Sequence, residues 1–385
     1  MNVAFFNQNA LVQRETAAAL RRLSGVRVVA IDLCRHPSAD QAREVVRLLE
    51  KQQCRMLVTV NDGGIDADGV LGKYLDGKKI VHCNWYVDDP FYEEIILVKK
   101  YRPSPTRIDF VSDKGYVEPM RDRGYRAFFL PLAADPDIFN PGNERERQWR
   151  DEIVFVGNSY NRQMNDLLKM APGFIDTLSP FIGKVVDRFC RDVGFDVEGY
   201  VAGKLKKISL PRGVSMEKAD FIARHTAGYL ARKRIILSLV ERYPGFKVYG
   251  EPGWRQYIPG ERLGTAKYYD NLCEVYRHAK ITVDINRMVI RNGFTQRAFD
   301  VPASGGFLIT GAKPVVGEFF DAGGPERELA VFNSVSELTE EIDWFLAHED
   351  ERLAVAQRGM RKVLAAHTYD HRIAEMFRVI ARELR

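Results

Sequence analysis

The chain has 385 residues, 45% hydrophobic and 28% charged, with a formal net charge of +5. That length suits two domains of ordinary size, and that composition excludes a disordered chain. No apolar run approaches the ~20 residues of a membrane-spanning helix, and MNVAFFNQNALVQRE lacks the basic start and apolar core of a secretory signal. A cytoplasmic protein is therefore expected.

Taken in chain order, VAFF (3–6) opens as a strand, followed by a helix over about 11–23. VRVVAID (26–32) is a second strand and 39–52 a second helix. MLVTVND (56–62), KIVHCNWYVD (79–88), IDFVSD (108–113) and YRAFFLPLA (125–133) are further strand candidates. Runs apolar on both faces and separated by helices indicate a parallel sheet covered on both sides. DPDIFNPGNERERQWRD (135–151), polar with two prolines, is the domain boundary.

The pattern then restarts with DEIVFVGN (151–158), FKVYGE (246–251), ITVDIN (281–286), FLIT (307–310) and LAVF (329–332). A helical insertion, about 162–243, separates the first two strands, and two or three helices follow Val335. The expected division is 1–140 and 150–365, with a last helix, 366–385, available to pack back on the first domain. Two Rossmann-like units bind ligands outside the carboxyl ends of their strands. The insertion is basic, with 14 Lys and Arg against 8 Asp and Glu over 162–234, which favours an anionic partner or forms a solvated helical face.

Several chemistries are excluded by what is missing. Cys34, Cys54, Cys83, Cys190 and Cys273 form no Cys-x-x-Cys pair, and the seven histidines form no HExxH pattern. Reduced thiols and no protein-built metal site are expected. The first domain has no GxGxxG and the chain has no GxxxxGK[ST], which argues against a nicotinamide-dependent oxidoreductase and a P-loop NTPase.

The sharpest cluster runs from ITVDINR (281–287) through GFTQRAFDVPASGGFLIT (293–310). A buried strand ends in Asn286 and Arg287. Thr295 stands at an expected helix N-cap, the helix carries Arg297 and Asp300, and Gly305-Gly306 close it before the next strand. A helix N-terminus suits a diphosphate and a carboxylate one turn inside suits a ribose diol, although an ordinary helix with a glycine stop reads the same way. FVGNSYNRQ (155–163) places Gly157, Asn158 and Arg162 where a phosphate could sit. In VHCNWYVDDPFYEE (81–94), Asp88 and Asp89 end a buried strand as candidates for general-base catalysis. Helix capping by Asp88 and pairing of Asp89 with Lys99 are the alternatives. NDGGID (61–66) puts Asn61 and Gly63 on a neighbouring loop, suited to close approach of a ligand or to a plain turn.

The order strand–NxR–loop–T-x-R-x-F-(E/D)-x-x-A-x-G-G-x-x-x-T resembles the C-terminal domain of group-1-type glycosyltransferases, and in particular their CgeB-like spore-maturation branch. FVGN with Arg162, VYG with Trp254, YYDNLCEVYRHAKITVDINR and AHTYDHR (366–372) extend the likeness over about 150–385. Trp85 with Asp88, Asp89 and Pro90 resembles a segment of the same branch. The resemblance implies an α/β GT-B fold, two Rossmann-like domains facing across a cleft. It also implies a metal-independent enzyme, without cofactor, that transfers a hexosyl or deoxyhexosyl group from a nucleotide-diphosphate sugar to a hydroxyl.

On that resemblance the donor would be held by Gly157, Asn158, Arg162, Tyr249, Gly250, Asn286, Arg287, Thr295, Arg297, Asp300, Gly305 and Gly306. Asp88 and Asp89 would be catalytic, with Asn61, Gly63 and Trp85 on the acceptor side. The insertion helix 223–244 would bring Arg232 or Arg234 toward donor or acceptor. Asp300 departs from the family's usual glutamate, which motivates a non-catalytic nucleotide-sugar-binding relative as the alternative. The acceptor would be polysaccharide, protein or lipid-linked, with peripheral membrane contact left open. The insertion lacks interleaved aromatics, so stable nucleic-acid binding, and with it a nucleic-acid-directed transferase, is not expected.

Overall fold

The computed structural model describes residues 1–92, 95, 103–142 and 149–384. The chain divides into two units. Met1–Asp135, Arg291–Gly293 and His367–Arg385 form the first, and Pro136–Ile290 with Phe294–Ala366 the second.

The first unit contains β1 (Asn2–Asn7), β2 (Arg27–Asp32), β3 (Met56–Val60), β4 (Val81–Tyr86), β5 (Arg107–Val111) and β6 (Ala127–Phe129). All pair in parallel, in the order β2-β1-β3-β4-β5-β6. Every residue of β3, β4 and β5 is buried, as a parallel sheet covered on both faces requires. Among the crossovers, helix Ala39–Lys51 starts at a capping box in which Ser38 and Gln41 satisfy each other's backbone amides. β1 extends one residue beyond VAFF at each end, and the other five strands are shorter than the apolar runs that signalled them.

The polar residues of these buried strands satisfy one another. Arg107 lies 2.8 Å from Asp62 and 2.7 Å from Asp109, and Tyr86 donates to Asp62. Asn84 and Thr59 are hydrogen-bonded, and the Thr59 hydroxyl is 2.8 Å from His82 Nε2. The terminal helix Tyr369–Glu383 packs its Tyr369 ring edge-on against Trp85, centroids 6.0 Å apart. Arg372 donates to the carbonyls of Pro131 and Leu132 at 2.9 and 3.1 Å. The carboxylate of Asp113 accepts the backbone amides of Arg291 and Asn292 at 2.7 and 2.8 Å, which ties the segment Arg291–Gly293 to this unit.

The second unit contains β7 (Asp151–Val156), β8 (Phe246–Tyr249), β9 (Leu263–Gly264), β10 (Ala279–Asp284), β11 (Leu308–Gly311) and β12 (Ala330–Phe332). They are parallel in the order β12-β11-β10-β7-β8-β9, the doubly wound Rossmann order read from its far edge. The two-residue β9 carries no apolar run and was invisible in the sequence. Four helices fill the insertion between β7 and β8: Asn161–Lys169, Phe174–Arg191, Val197–Leu205 and Met216–Arg242. The last begins at Ser215, whose side chain accepts the Lys218 amide. The strand order reverses at β1/β3 in the first sheet and β7/β10 in the second, and ligands of such sheets bind at the carboxyl ends there. None of the described helices is long and apolar enough to cross a membrane.

Burial, and then the charge of Arg107, push His82 down to about 3 from the ordinary 6.5. The unfolded chain takes up this proton near 6.5, so the contribution to stability is full above that value and is lost as pH falls toward 3. His82→Gln is predicted to flatten the acid limb of the thermal-midpoint profile by roughly 1 kcal/mol per pH unit in that window. An unchanged slope would assign acid sensitivity to other groups.

Candidate functional site

β10 ends in Asp284, a fully buried carboxylate in an otherwise apolar strand. An isolated charge there would be costly, and it is met on all sides. The hydroxyls of Thr295 and Thr310 donate to it at 2.6 and 3.2 Å. Arg297 donates Nε at 2.8 Å, and its Nη2 lies 2.7 Å away. The same guanidinium donates to the Val156 carbonyl at 2.7 Å, so it spans the ends of β10 and β7 at the switch point. Burial works against the charge on Arg297, and Asp284 outweighs it, holding the guanidinium's proton more firmly.

Beside this clamp lies a second arginine, from the long helix Met216–Arg242. Arg232 is buried and donates to the Ile285 carbonyl at 2.9 Å, and its Nε has no hydrogen-bond partner. Its guanidinium stands 5.1 Å from the ring centre of Tyr160, and that of Arg287 stands 5.9 Å from the same ring. Tyr160 stacks on Tyr229, centroids 5.1 Å apart, and Tyr229 reaches His225 Nδ1 at 3.3 Å. His225, Tyr229 and Arg232 stand on successive turns of one helix face, the spacing at which helical side chains meet.

Three titration shifts agree on the sign of the local potential. Burial alone would raise the Tyr160 phenol, yet Arg287, Arg232 and Arg297 together pull it below its ordinary value. Burial and its arginine neighbours, against the pull of Tyr160 and Asp284, bring Arg232 down to about 10. Burial, Arg287 and Arg224 push His225 well below the ordinary histidine value. Arginines gathered at a doubly wound switch point make this a candidate anion site.

Glycines bring the loops of this site together. The Gly157 carbonyl accepts the Trp254 indole N–H at 2.8 Å, and its amide donates to the Tyr249 carbonyl at 2.8 Å. A Cβ on Gly250 would collide with the Gly157 carbonyl, and one on Gly157 would come 2.8 Å from the Phe155 ring. Gly305 takes a left-handed φ of 72°, and a Cβ on Gly306 would sit 2.7 Å from the Tyr276 carbonyl.

The expected residues fall into three groups. Gly157, Arg287 and Arg297 stand at the cluster, and Thr295 and Asn286 lie directly around it. Thr295, however, spends its hydroxyl on Asp284 and does not cap the helix, which starts at Arg297 with Gln296 as its cap residue. Asn286 donates to the Gly311 carbonyl at 3.3 Å, while its buried Oδ1 has no hydrogen-bond partner. Asp300 is 1% exposed and accepts from the Tyr268 hydroxyl at 2.9 Å and Gln296 Nε2 at 2.8 Å. Asn158 is exposed on the loop, and the Tyr249 hydroxyl is committed to Asp151 at 2.6 Å.

Two expectations need correction. Arg162 does not join the cluster: its side chain is 89% exposed and lies 3.9 Å from Asp166. Tyr160, two positions earlier, turns inward instead. Trp85 cannot line an acceptor surface, because it is 0% exposed and donates its indole N–H to the Leu130 carbonyl at 3.0 Å. Asp284, Tyr160, His225 and Tyr229 were not singled out. Only Asp284 carried a signal, a carboxylate ending an apolar strand.

In the first unit, Asn61 holds a left-handed φ of 52° and accepts the Val87 and Asp88 amides at 2.9 and 3.3 Å. Its amide nitrogen donates to Asp88 at 3.1 Å, and Asp88 remains exposed. Asp89 accepts the Phe91 amide and the Tyr116 hydroxyl, both at 2.9 Å. A Cβ on Gly63 would collide with the Gln8 side chain. Lys99, Glu93 and Glu94 lie outside the described residues. Among the described residues, no group of three or more His, Cys, Asp or Glu could hold a metal ion.

Two parallel six-stranded sheets wound in this way are the GT-B fold. Over 99% of this chain and 98% of the other, it matches sucrose-phosphate synthase from Thermosynechococcus elongatus with TM-score 0.57 at 10% identity. Over 99% and 100%, it matches Anabaena HepE in complex with UDP and glucose, with TM-score 0.58 at 7% identity. A glycosyltransferase from Rickettsia africae matches over 100% and 98%, with TM-score 0.51 at 9% identity. At such identities the likeness is one of fold. Residues 232–378 match the family model described as glycosyl transferase-like, which is less than half of the chain. Against curated protein sequences there is no significant match. Fold and family model together support a glycosyltransferase of GT-B type.

Asp284→Asn leaves Arg297 buried without its counter-charge and should cost about 3 kcal/mol. Thr310→Val should cost only about 1 kcal/mol. Thermal melts of the two variants would show this ranking, and equal losses would contradict the clamp.

Proposed function

We propose that the chain transfers a hexosyl or deoxyhexosyl group from a nucleoside-diphosphate sugar to a hydroxyl of a polysaccharide, protein or lipid-linked acceptor. The observation that carries this is the cluster of Arg232, Arg287 and Arg297 at the second switch point. The leaving diphosphate would gain its stabilisation from Arg232, Arg287 and the loop amides after Gly157, which act as preorganised donors without a metal. Arg297 is already paired with Asp284, so its part is to hold the cradle rather than to bind directly. Asp300, held by the Tyr268 hydroxyl and Gln296 Nε2, would accept from the donor's ribose diol.

Acceptor activation falls to Asp88. It is exposed and accepts the Asn61 side-chain amide, whereas Asp89 accepts from the Phe91 amide and the Tyr116 hydroxyl. As general base it would take the acceptor's proton as the hydroxyl attacks the anomeric carbon and the diphosphate leaves.

Calorimetry with UDP, GDP, dTDP and ADP tests the donor half. One of them should bind, and Arg232→Ala or Arg287→Ala should weaken it by roughly tenfold or more, the worth of a charge-assisted hydrogen bond. Asp88→Asn should retain that binding and lose transfer across a panel of acceptors. If none of the four nucleotides binds, the proposal fails. Binding without transfer by the unaltered protein would instead favour a non-catalytic nucleotide-sugar-binding protein.

A further inference from the structure

One buried acceptor of the second unit is not accounted for by the arginine cluster. Asn286 is 7% exposed. It follows Ile285, whose carbonyl accepts from Arg232, and precedes Arg287. Its Nδ2 donates to the Gly311 carbonyl at 3.3 Å. A carbonyl accepts only from the nitrogen end of an amide, so this bond fixes which way the side chain is turned. The other end, Oδ1, is buried without a hydrogen-bond partner among the described residues.

Asn286 lines a narrow crevice at the carboxyl ends of β10, β11 and β12. Ile285 stands beside it, and Gly311 and Phe332 end the two neighbouring strands. Phe189 comes from the insertion helix Phe174–Arg191 and Val193 from just beyond it. The walls are therefore largely apolar around one unsatisfied acceptor. Lys313 also lines the crevice, so an ammonium group is a poor occupant and a neutral donor is favoured. Gly311 keeps the space open. A Cβ there would lie 3.6 Å from Asn286 Nδ2 and from the Phe332 ring, and 3.7 Å from the Val193 side chain.

We propose that this crevice receives the exocyclic hydroxymethyl group of the transferred sugar, so that the protein selects a hexosyl over a 6-deoxyhexosyl donor. This rests on the donor-site reading of the arginine cluster. The sugar is bonded to the diphosphate, so it lies next to the arginines that hold the phosphates, and Asn286 is the chain neighbour of Arg287. A ring hydroxyl projects a single oxygen. The hydroxymethyl arm projects a carbon and then an oxygen, which matches apolar walls around an acceptor. Its O–H would donate to Asn286 Oδ1 while its methylene packs on Phe332 and Val193. A 6-deoxy sugar brings a methyl to the same place and leaves the oxygen buried and unpaired. A site built to bond a hydroxyl rejects the analogue that lacks it, because the site's own polar group is then left without a partner.

The test is calorimetry on the full chain with UDP-glucose, UDP-galactose, GDP-mannose, dTDP-glucose and ADP-glucose, each beside its 6-deoxy analogue and its bare nucleoside diphosphate. For the nucleotide that binds, the hexose compound should bind roughly tenfold or more tighter than its 6-deoxy analogue. In Asn286→Leu, an apolar side chain of similar size, that ratio should fall to about one or invert, and any general loss of affinity cancels in it. Gly311→Ala adds one methyl to the crevice at ordinary contact distance. It should weaken the hexose compound roughly tenfold relative to the bare nucleotide. Equal binding of hexose and 6-deoxy compounds by the unaltered protein, or an unchanged ratio in Asn286→Leu, would overturn the crevice and leave the donor site standing. Equal weakening of bare nucleotide and hexose compound by Gly311→Ala would overturn it as well. If no nucleotide binds, the donor site falls and the crevice with it.

Discussion

The buried pair of Asp284 and Arg297 is the constraint on which the second unit depends. A doubly wound sheet leaves a gap where its strand order reverses, and here the gap is bridged by one guanidinium bonded to the end of β10 and the end of β7. Charges are retained in such a place only when every partner is present, and Thr295 and Thr310 complete the set. The consequence is a rigid floor at the carboxyl edge of the sheet. Arg232 and Arg287 stand beside it, facing the ring of Tyr160.

That second pair of arginines is what makes the structural clamp a candidate anion site. Burial is the main cause of the lowered proton affinities of Arg232 and His225, and the neighbouring arginines add to it. A folded protein retains such frustration where a ligand will relieve it. The first unit resolves the same problem in the opposite way. Its buried Arg107 meets two carboxylates, Asp62 and Asp109, and a phenol as well, and it leaves no surplus positive charge. One buried arginine therefore holds a sheet together, and the other group gathers its arginines around one phenol.

The two candidate carboxylates of the first unit separate on similar grounds. They are adjacent in sequence and chemically identical. Asp89 is spent on the turn that follows β4, whereas Asp88 remains open to solvent with Asn61 behind it. The left-handed Asn61 is what places that support, since its carbonyl oxygen fixes the loop amides while its nitrogen orients Asp88.

The sequence by itself determined the two α/β units, the helical insertion and the resemblance that pointed to the GT-B fold. Those properties are written in local patterns: apolar runs of strand length, glycine turns and an ordered series of motifs. It also marked Arg287, Arg297 and Gly157, because each follows directly on a buried strand or a motif. Only the tertiary structure decided which charges face each other. Tyr160 and Arg162 stand two positions apart, at the cap and in the first turn of the helix Asn161–Lys169, and the left-handed backbone at Tyr160 sends the tyrosine in while the arginine stays in water. Trp85 looked like a surface aromatic beside two aspartates, yet strand alternation and the terminal helix enclose it. Arg232 reaches the site from a helix that precedes β10 by some forty residues. Such convergence depends on packing across the sheet, which spacing along the chain does not encode.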